Sequence, residues 1–123
     1  MKIVSTIARY LLGLIFLTFG LNGFLHFIPM PPPTGVAGQF FGALFASHFY
    51  VVIFLFQIVP AVLLLANRYV ALAVVILAAI IVNILSFHIL MAPAGLPLAL
   101  VVTVLWFLVA WKVRPALQGI LQK

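Results

Sequence analysis

Apolar runs dominate this chain, and the polar positions that interrupt them are few enough to name. The stretch "IIVNILSFHIL", residues 80–90, is typical: greasy throughout, yet broken by Asn83, Ser86 and His88. A helix that crosses about 30 Å of hydrocarbon needs about 20 apolar residues. Four runs meet that length or come near it, at about 5–28, 47–66, 69–91 and 96–111. Pro93, Gly95 and Pro97 in "APAGLP" mark the turn before the last run. Pro97 suits a first helical turn, where the missing N–H costs nothing. The pattern predicts an all-α membrane protein, a four-transmembrane-helix bundle forming a single transmembrane domain over 1–123.

One segment does not fit a plain crossing. Residues 35–66 span 32 positions, too many for one perpendicular helix. The first part, "VAGQFFGALFASHF", mixes small, aromatic and polar residues and follows the stiff "PMPPPTG" connection. It reads either as a short interfacial or re-entrant segment that caps the outer mouth of the bundle, or as a tilted long helix plus a loop.

Composition narrows the class further. The chain is 68% hydrophobic with a mean hydropathy of +1.47, and it has no Asp or Glu. Only 5% of its residues are charged, against about a quarter in an ordinary soluble domain, so no water-facing surface can be built from it. Lys2 and Arg9 resemble the basic start of a signal peptide. The apolar run after Arg9 outlasts the usual h-region of about 7–15 residues, however, so a retained span is expected.

The six cations give the orientation. Lys2 and Arg9 lie at the start of the first span, Arg68 lies between the second and third, and Lys112, Arg114 and Lys123 follow the fourth. The opposite loops, 29–46 and 92–95, carry no charge. Four crossings put every cation on one face, which the positive-inside rule makes cytoplasmic, with both termini inside. The expected location is the cytoplasmic (inner) membrane of a bacterium. A net charge of +6 distributed in this way points to the lipid bilayer as partner and away from nucleic acid. Tyr10, Tyr69 and Trp111, each beside a cation, read as interfacial anchors.

Depth along the helices groups the intramembrane polar residues. At about 1.5 Å per residue, Asn22 lies roughly 20 Å and His26 roughly 26 Å above Arg9. Measured from Arg68, Gln57 lies at roughly 17 Å, Asn83 at roughly 22 Å and His88 at roughly 30 Å. Three carboxamides thus share one layer, and two histidines share another nearer the outer surface. Thr18, Asn22 and His26 form an i, i+4, i+8 stripe, while Gly13 and Gly20 mark another face where a helix can approach closely. Pro60 frees the Phe56 carbonyl near Gln57. Asn83 and His88 are five apart, roughly 140° around the helix, so they cannot share a narrow stripe. Two readings stay open: Asn22, Gln57 and Asn83 as interhelical hydrogen-bond glue, or all five as a small polar pocket opening outward near His26 and His88.

The missing residue types limit the chemistry. Without cysteine there is no dithiol relay or thiolate metal site. Without a carboxylate side chain there is no acidic general base. His26, His48 and His88 remain, and none has the spacing of a metal motif, although two histidines on different helices can ligate haem. His48 reads as an interfacial residue.

"ARYLLGLIFLTFGLNGFLHF" resembles the opening span of the DoxX family of small four-helix membrane proteins. "FQIVPAVLLLANRYVALAVVILAAIIVNILSFHIL" is similar to that family's second and third spans with their short basic turn, so the resemblance covers about 8–111. It implies a four-helix bundle with cytoplasmic termini and a linker segment between the first two spans. The family is named for a subunit of a quinone-reducing, thiosulfate-oxidising enzyme; other members are linked with redox partners and distant relatives act as membrane chaperones. Asn22 and Gln57 stand where other members carry charged residues, which argues against a proton-coupled role. The expected function is a binding or accessory membrane subunit, taking a quinone-like or other small apolar ligand, or another membrane protein, at the outer side. Phe24, Phe27, Phe40, Phe41 and Phe87 are candidate lining residues. The alternative is a quinone-linked oxidoreductase subunit in which His26 or His88 handles the proton of a quinol hydroxyl. A channel or transporter fits less well, because the spans lack charges and no inverted repeat is visible.

Overall fold

The computed structural model describes residues 2–122, so Lys123 lies outside the described residues. Helix is the dominant structure, with no strand among the described residues. Six α-helices follow in order: α1 (Lys2–Leu25), α2 (Gly35–Ala46), α3 (Tyr50–Ala66), α4 (Val70–Leu90), α5 (Leu96–Lys112) and α6 (Arg114–Gln118). α1, α4 and the stretch Pro93–Lys112 are each long and apolar enough to cross a membrane, and α2 with α3 passes that test only as a pair bent by 88°. Helices of this length and apolar character make the chain an all-helical integral membrane protein.

α1 and α4 each pack against both α3 and α5, so these helices form a ring with α1 diagonal to α4. Successive neighbours run antiparallel. Gly13, Gly20 and Gly23 of α1 meet Leu65, Ile58 and Phe54 of α3 in descending order, and Trp106 of α5 meets Val74 of α4 while Gly95 meets His88. The five described cations therefore gather at one end, where α1 starts, α3 turns into α4 and α5 stops.

The core is narrow. It runs through Leu12 and Phe16 of α1, Ala61 and Leu64 of α3, Ala73, Val74 and Leu77 of α4, and Val102 and Val109 of α5. Most remaining apolar side chains face outward, among them Leu14, Val59, Val75, Val104 and Phe107. In water such a surface would aggregate. In hydrocarbon it is the correct exterior, and close packing and hydrogen bonds replace the hydrophobic effect as the attraction between helices. The glycine face of α1 supplies the packing: a Cβ on Gly20 would lie 2.7 Å from Ile58 Cγ1, and one on Gly23 would lie 2.3 Å from Phe54 Cδ2. Gly23 extends the contact that Gly13 and Gly20 mark in the sequence. Arg9 adds a cross-helix hydrogen bond, its Nη1 donating to the Leu64 carbonyl near the end of α3.

Two helix ends differ from the sequence pattern. α1 stops at Leu25 instead of about residue 28. His26 turns to φ 52°, and the Asn22 Oδ1 accepts the Ile28 N–H at 2.8 Å. Ile28 also precedes Pro29, and a residue before proline is disfavoured in helical geometry. The stripe of Thr18, Asn22 and His26 therefore loses its last member.

The second difference resolves 35–66. α2 is a separate helix lying at 88° to α3, so the tilted long helix does not form. Residues 47–49 make the corner, with His48 at φ 63°. Ser47 Oγ donates to the Leu44 carbonyl at 3.2 Å and accepts from the Phe49 N–H at 3.3 Å. A serine that bonds its own backbone in this way competes with helix continuation. At the other end of α3, Asn67 takes φ 56° and its N–H caps the Leu63 and Leu64 carbonyls, the left-handed ending that asparagine tolerates.

Candidate functional site

α2 brings an aromatic layer to the end of the bundle opposite the cations. Phe40 and Phe41 lie 5.6 Å and 5.3 Å from Phe87 of α4, measured between ring centroids. Phe45 stacks on Tyr50 at 4.7 Å and lies 6.4 Å from Phe54, both on α3. Phe24 of α1 joins through Tyr50 at 5.8 Å and Phe54 at 6.3 Å. The layer thus links α1, α2, α3 and α4 without a break. Separations of this kind stabilise by about 0.5–1.5 kcal/mol per pair beyond the area buried.

All three histidines sit on the rim of this layer. His26 lies 5.7 Å from Phe45, His48 lies 6.1 Å from Tyr50, and His88 lies 5.2 Å from Phe87. Two of them also occupy left-handed corners, His26 at φ 52° and His48 at φ 63°, a conformation in which histidine is enriched among residues with a side chain. Both are exposed. His88 is half-buried, and its Nδ1 lies 3.1 Å from the Ala92 carbonyl. A carbonyl can only accept, so Nδ1 donates to it, and Nε2 makes no hydrogen bond among the described residues. Gly95 makes room for this ring: a Cβ there would come within 2.3 Å of His88 Cε1.

The carboxamides part company. Asn22 and Gln57 are buried on the packed faces of α1 and α3, at 7% and 8% exposure. Asn22 spends its Oδ1 on the Ile28 N–H, a local clamp on the chain leaving α1. Gln57 packs its Cβ side against Gly20 and takes no side-chain hydrogen bond among the described residues, although its amide is not sealed off from a water-sized probe. The neighbouring Phe56 carbonyl also lacks its usual helical donor, because Pro60 has no N–H. Asn83 faces outward. It is exposed, and its Nδ2 donates to the Ala79 carbonyl one turn earlier at 2.9 Å.

The five residues are therefore not one cluster. Asn22 and Gln57 sit beneath the part of the aromatic layer made by Phe24, Phe45 and Phe54, His26 and His88 lie at its rim, and Asn83 points away from the bundle. Phe45 and Phe54, which help tie the layer together, are not among the sequence candidates, whereas Tyr50 shares a helix face with Gln57 by spacing. Their signal was available only in hindsight: they are brought together by the corner at 47–49, whose angle no spacing rule gives. Phe27 is 52% exposed and stands outside the ring pairs of the layer.

Among the described residues no group of three or more His, Cys, Asp or Glu side chains could hold a metal ion. The arrangement offers stacking surfaces, the Gln57 amide, able both to donate and to accept, and imidazole rings at the rim. Comparison with protein-family models, with curated proteins and with solved structures returns no match for this chain.

Proposed function

We propose that this chain is a four-span protein of the bacterial cytoplasmic membrane, with both termini inside, acting as a binding or accessory subunit. Its ligand site lies between α2 and the outer ends of α1, α3 and α4. The single observation that carries this reading is α2, laid at 88° to α3, whose phenylalanines pair with rings of α3 and α4, while Phe24 of α1 joins the layer through α3. An aromatic cap of that kind suits the membrane interface, where a flat apolar molecule entering from the lipid meets aromatic faces first. Gln57, on the packed face of α3 just below but with its amide still accessible, then supplies the polar contact that orients it. A quinone-like carbonyl compound matches this donor. The resemblance to the DoxX family supports the same architecture and the same ligand class.

Asn83 supports the accessory half of the reading. A carboxamide facing hydrocarbon gains by meeting a polar group on another membrane helix, which makes this face of α4 the place for a lateral partner. The quinone-linked oxidoreductase alternative rests on His88, whose Nε2 is left open to a quinol proton.

The test is direct. The protein is purified in mild detergent, its visible spectrum is recorded, and lipid-soluble small molecules are extracted and identified by mass. A bound apolar compound that is lost in Phe45→Ala and Gln57→Leu variants of unchanged thermal stability supports the site. A bound quinone that wild type reduces or oxidises, and a His88→Gln variant does not, moves the assignment to the redox alternative. A protein that carries no such compound, or variants that retain it fully, sinks the proposal.

A further inference from the structure

The opposite end of the bundle carries a second concave site that the outer reading does not use. Lys2 and Ser5 of α1, Trp111 and Lys112 of α5, and Arg114 and Pro115 of α6 line a cleft of about 410 Å³. Three of its six lining residues are cationic, and the sequence has no Asp or Glu to neutralise any of them. Like charges converging on one cleft repel each other, and among the described residues no anionic side chain lies beside them.

The surroundings favour an anion with a specific shape. Arg114 lies over the Trp111 ring, 4.2 Å from its centroid, and spends one N–H on the Trp111 carbonyl at 2.7 Å. The remaining guanidinium donors stay open, a fork that matches two oxygens of one phosphate. The cleft also lies at the start of α1, the positive end of a 24-residue helix. Ser5 is buried at the cleft wall with its hydroxyl on the Lys2 carbonyl at 3.1 Å, so it holds the first turn in shape. Trp111 is 56% exposed beside the cations, the position of an aromatic residue at headgroup level.

We propose that this cleft binds the phosphate of an anionic phospholipid headgroup, with Lys2, Lys112 and Arg114 as its ligands. The acyl chains of such a lipid run along the apolar outer faces of α1 and α5, where Ile3, Ile7, Val104 and Phe107 are exposed. The inference needs the chain to be embedded in a membrane, but it is independent of the outer ligand site, which involves none of the same residues.

The experiment uses full-length protein in nanodiscs containing equal amounts of phosphatidylglycerol and phosphatidylcholine, transferred to detergent, with retained lipid counted by native mass spectrometry. Wild type retains phosphatidylglycerol preferentially. Charge removal costs about fivefold in retention per cation, so Lys112→Gln and Arg114→Gln each show a clear drop and the triple variant with Lys2→Gln loses the preference. Arg68→Gln, at the same end of the bundle but outside the cleft, leaves retention unchanged. Thermal unfolding of each variant checks the fold, and the single variants keep the test decisive if the triple variant fails to fold. An equal loss in Arg68→Gln would reduce the effect to diffuse surface charge and overturn the site. Displacement of the lipid by millimolar inorganic phosphate would assign the cleft to free phosphate and overturn the lipid.

Discussion

Trp106 of α5 donates its indole N–H to the Val74 carbonyl of α4 at 2.9 Å, a hydrogen bond between two helices inside an otherwise apolar contact. Val74 is buried at 1% exposure and Trp106 is packed against the same core, so the bond is shielded from solvent competition. Replacing Trp106 by Phe keeps most of the ring and removes the donor. The expected loss is about 0.5–1.5 kcal/mol, seen as a modest fall in the thermal unfolding midpoint in detergent. Trp106→Ala adds a cavity and costs more, about 3–5 kcal/mol.

Gly23 and Phe54 are predicted to be energetically coupled. A Cβ at Gly23 would run into the ring of Phe54 at 2.3 Å, so Gly23→Ala forces the ring or the helix to move. The expected cost is about 1–3 kcal/mol. In a Phe54→Ala background the same substitution costs much less, and a double-mutant cycle on unfolding midpoints reads the difference. Additive effects would mean that α1 and α3 do not meet at this point.

The left-handed corners give His26 and His48 a role that alanine substitution would confuse with ligand binding. Glycine adopts a positive φ freely, whereas a residue with a side chain is destabilised there by about 1–2 kcal/mol. His26→Gly and His48→Gly are therefore expected to keep or slightly raise the unfolding midpoint, while His26→Val lowers it. Any change in bound small molecules in the glycine variants then reports on the imidazole alone.

Asn83→Leu is expected to leave the unfolding midpoint unchanged or higher, because the side chain bonds only its own helix, at Ala79, and faces outward. A drop in midpoint would show that the amide ties helices together within one chain. Comparing the assembly state of wild type and variant by cross-linking in membranes reads whether the amide meets a partner instead.

Much of this arrangement is legible in the residues. The apolar runs mark the helices, the cations mark one end, and the glycines of α1 mark the contact with α3, because each follows from helix period and side-chain size. The end of α1 was not legible, since it depends on Asn22 reaching forward to Ile28 and on His26 leaving the helical region. Equal depth of Asn22, Gln57 and Asn83 is a reading of distance along the axis only. It carries no information about rotation, and rotation sends Asn83 outward while Asn22 and Gln57 turn inward. The aromatic layer was half visible: Phe24, Phe40, Phe41 and Phe87 stood out, but the corner at 47–49 that brings in Phe45, Tyr50 and Phe54 is made by one serine and one left-handed histidine.

α3 has 17 residues, which at about 1.5 Å per residue gives a rod of about 25 Å. The average hydrocarbon layer is about 30 Å thick, so the bilayer beside α3 must thin or the helix must hold polar headgroups close to its ends. α1, with 24 residues, imposes no such demand, and the membrane around the protein is consequently uneven. A dip on the side where α2 turns away would bring water and headgroups down toward Gln57, which lies only about 10 Å along α3 from Tyr50. A protein built in this way is expected to concentrate in thinner membrane regions and to be less stable in lipids with long acyl chains.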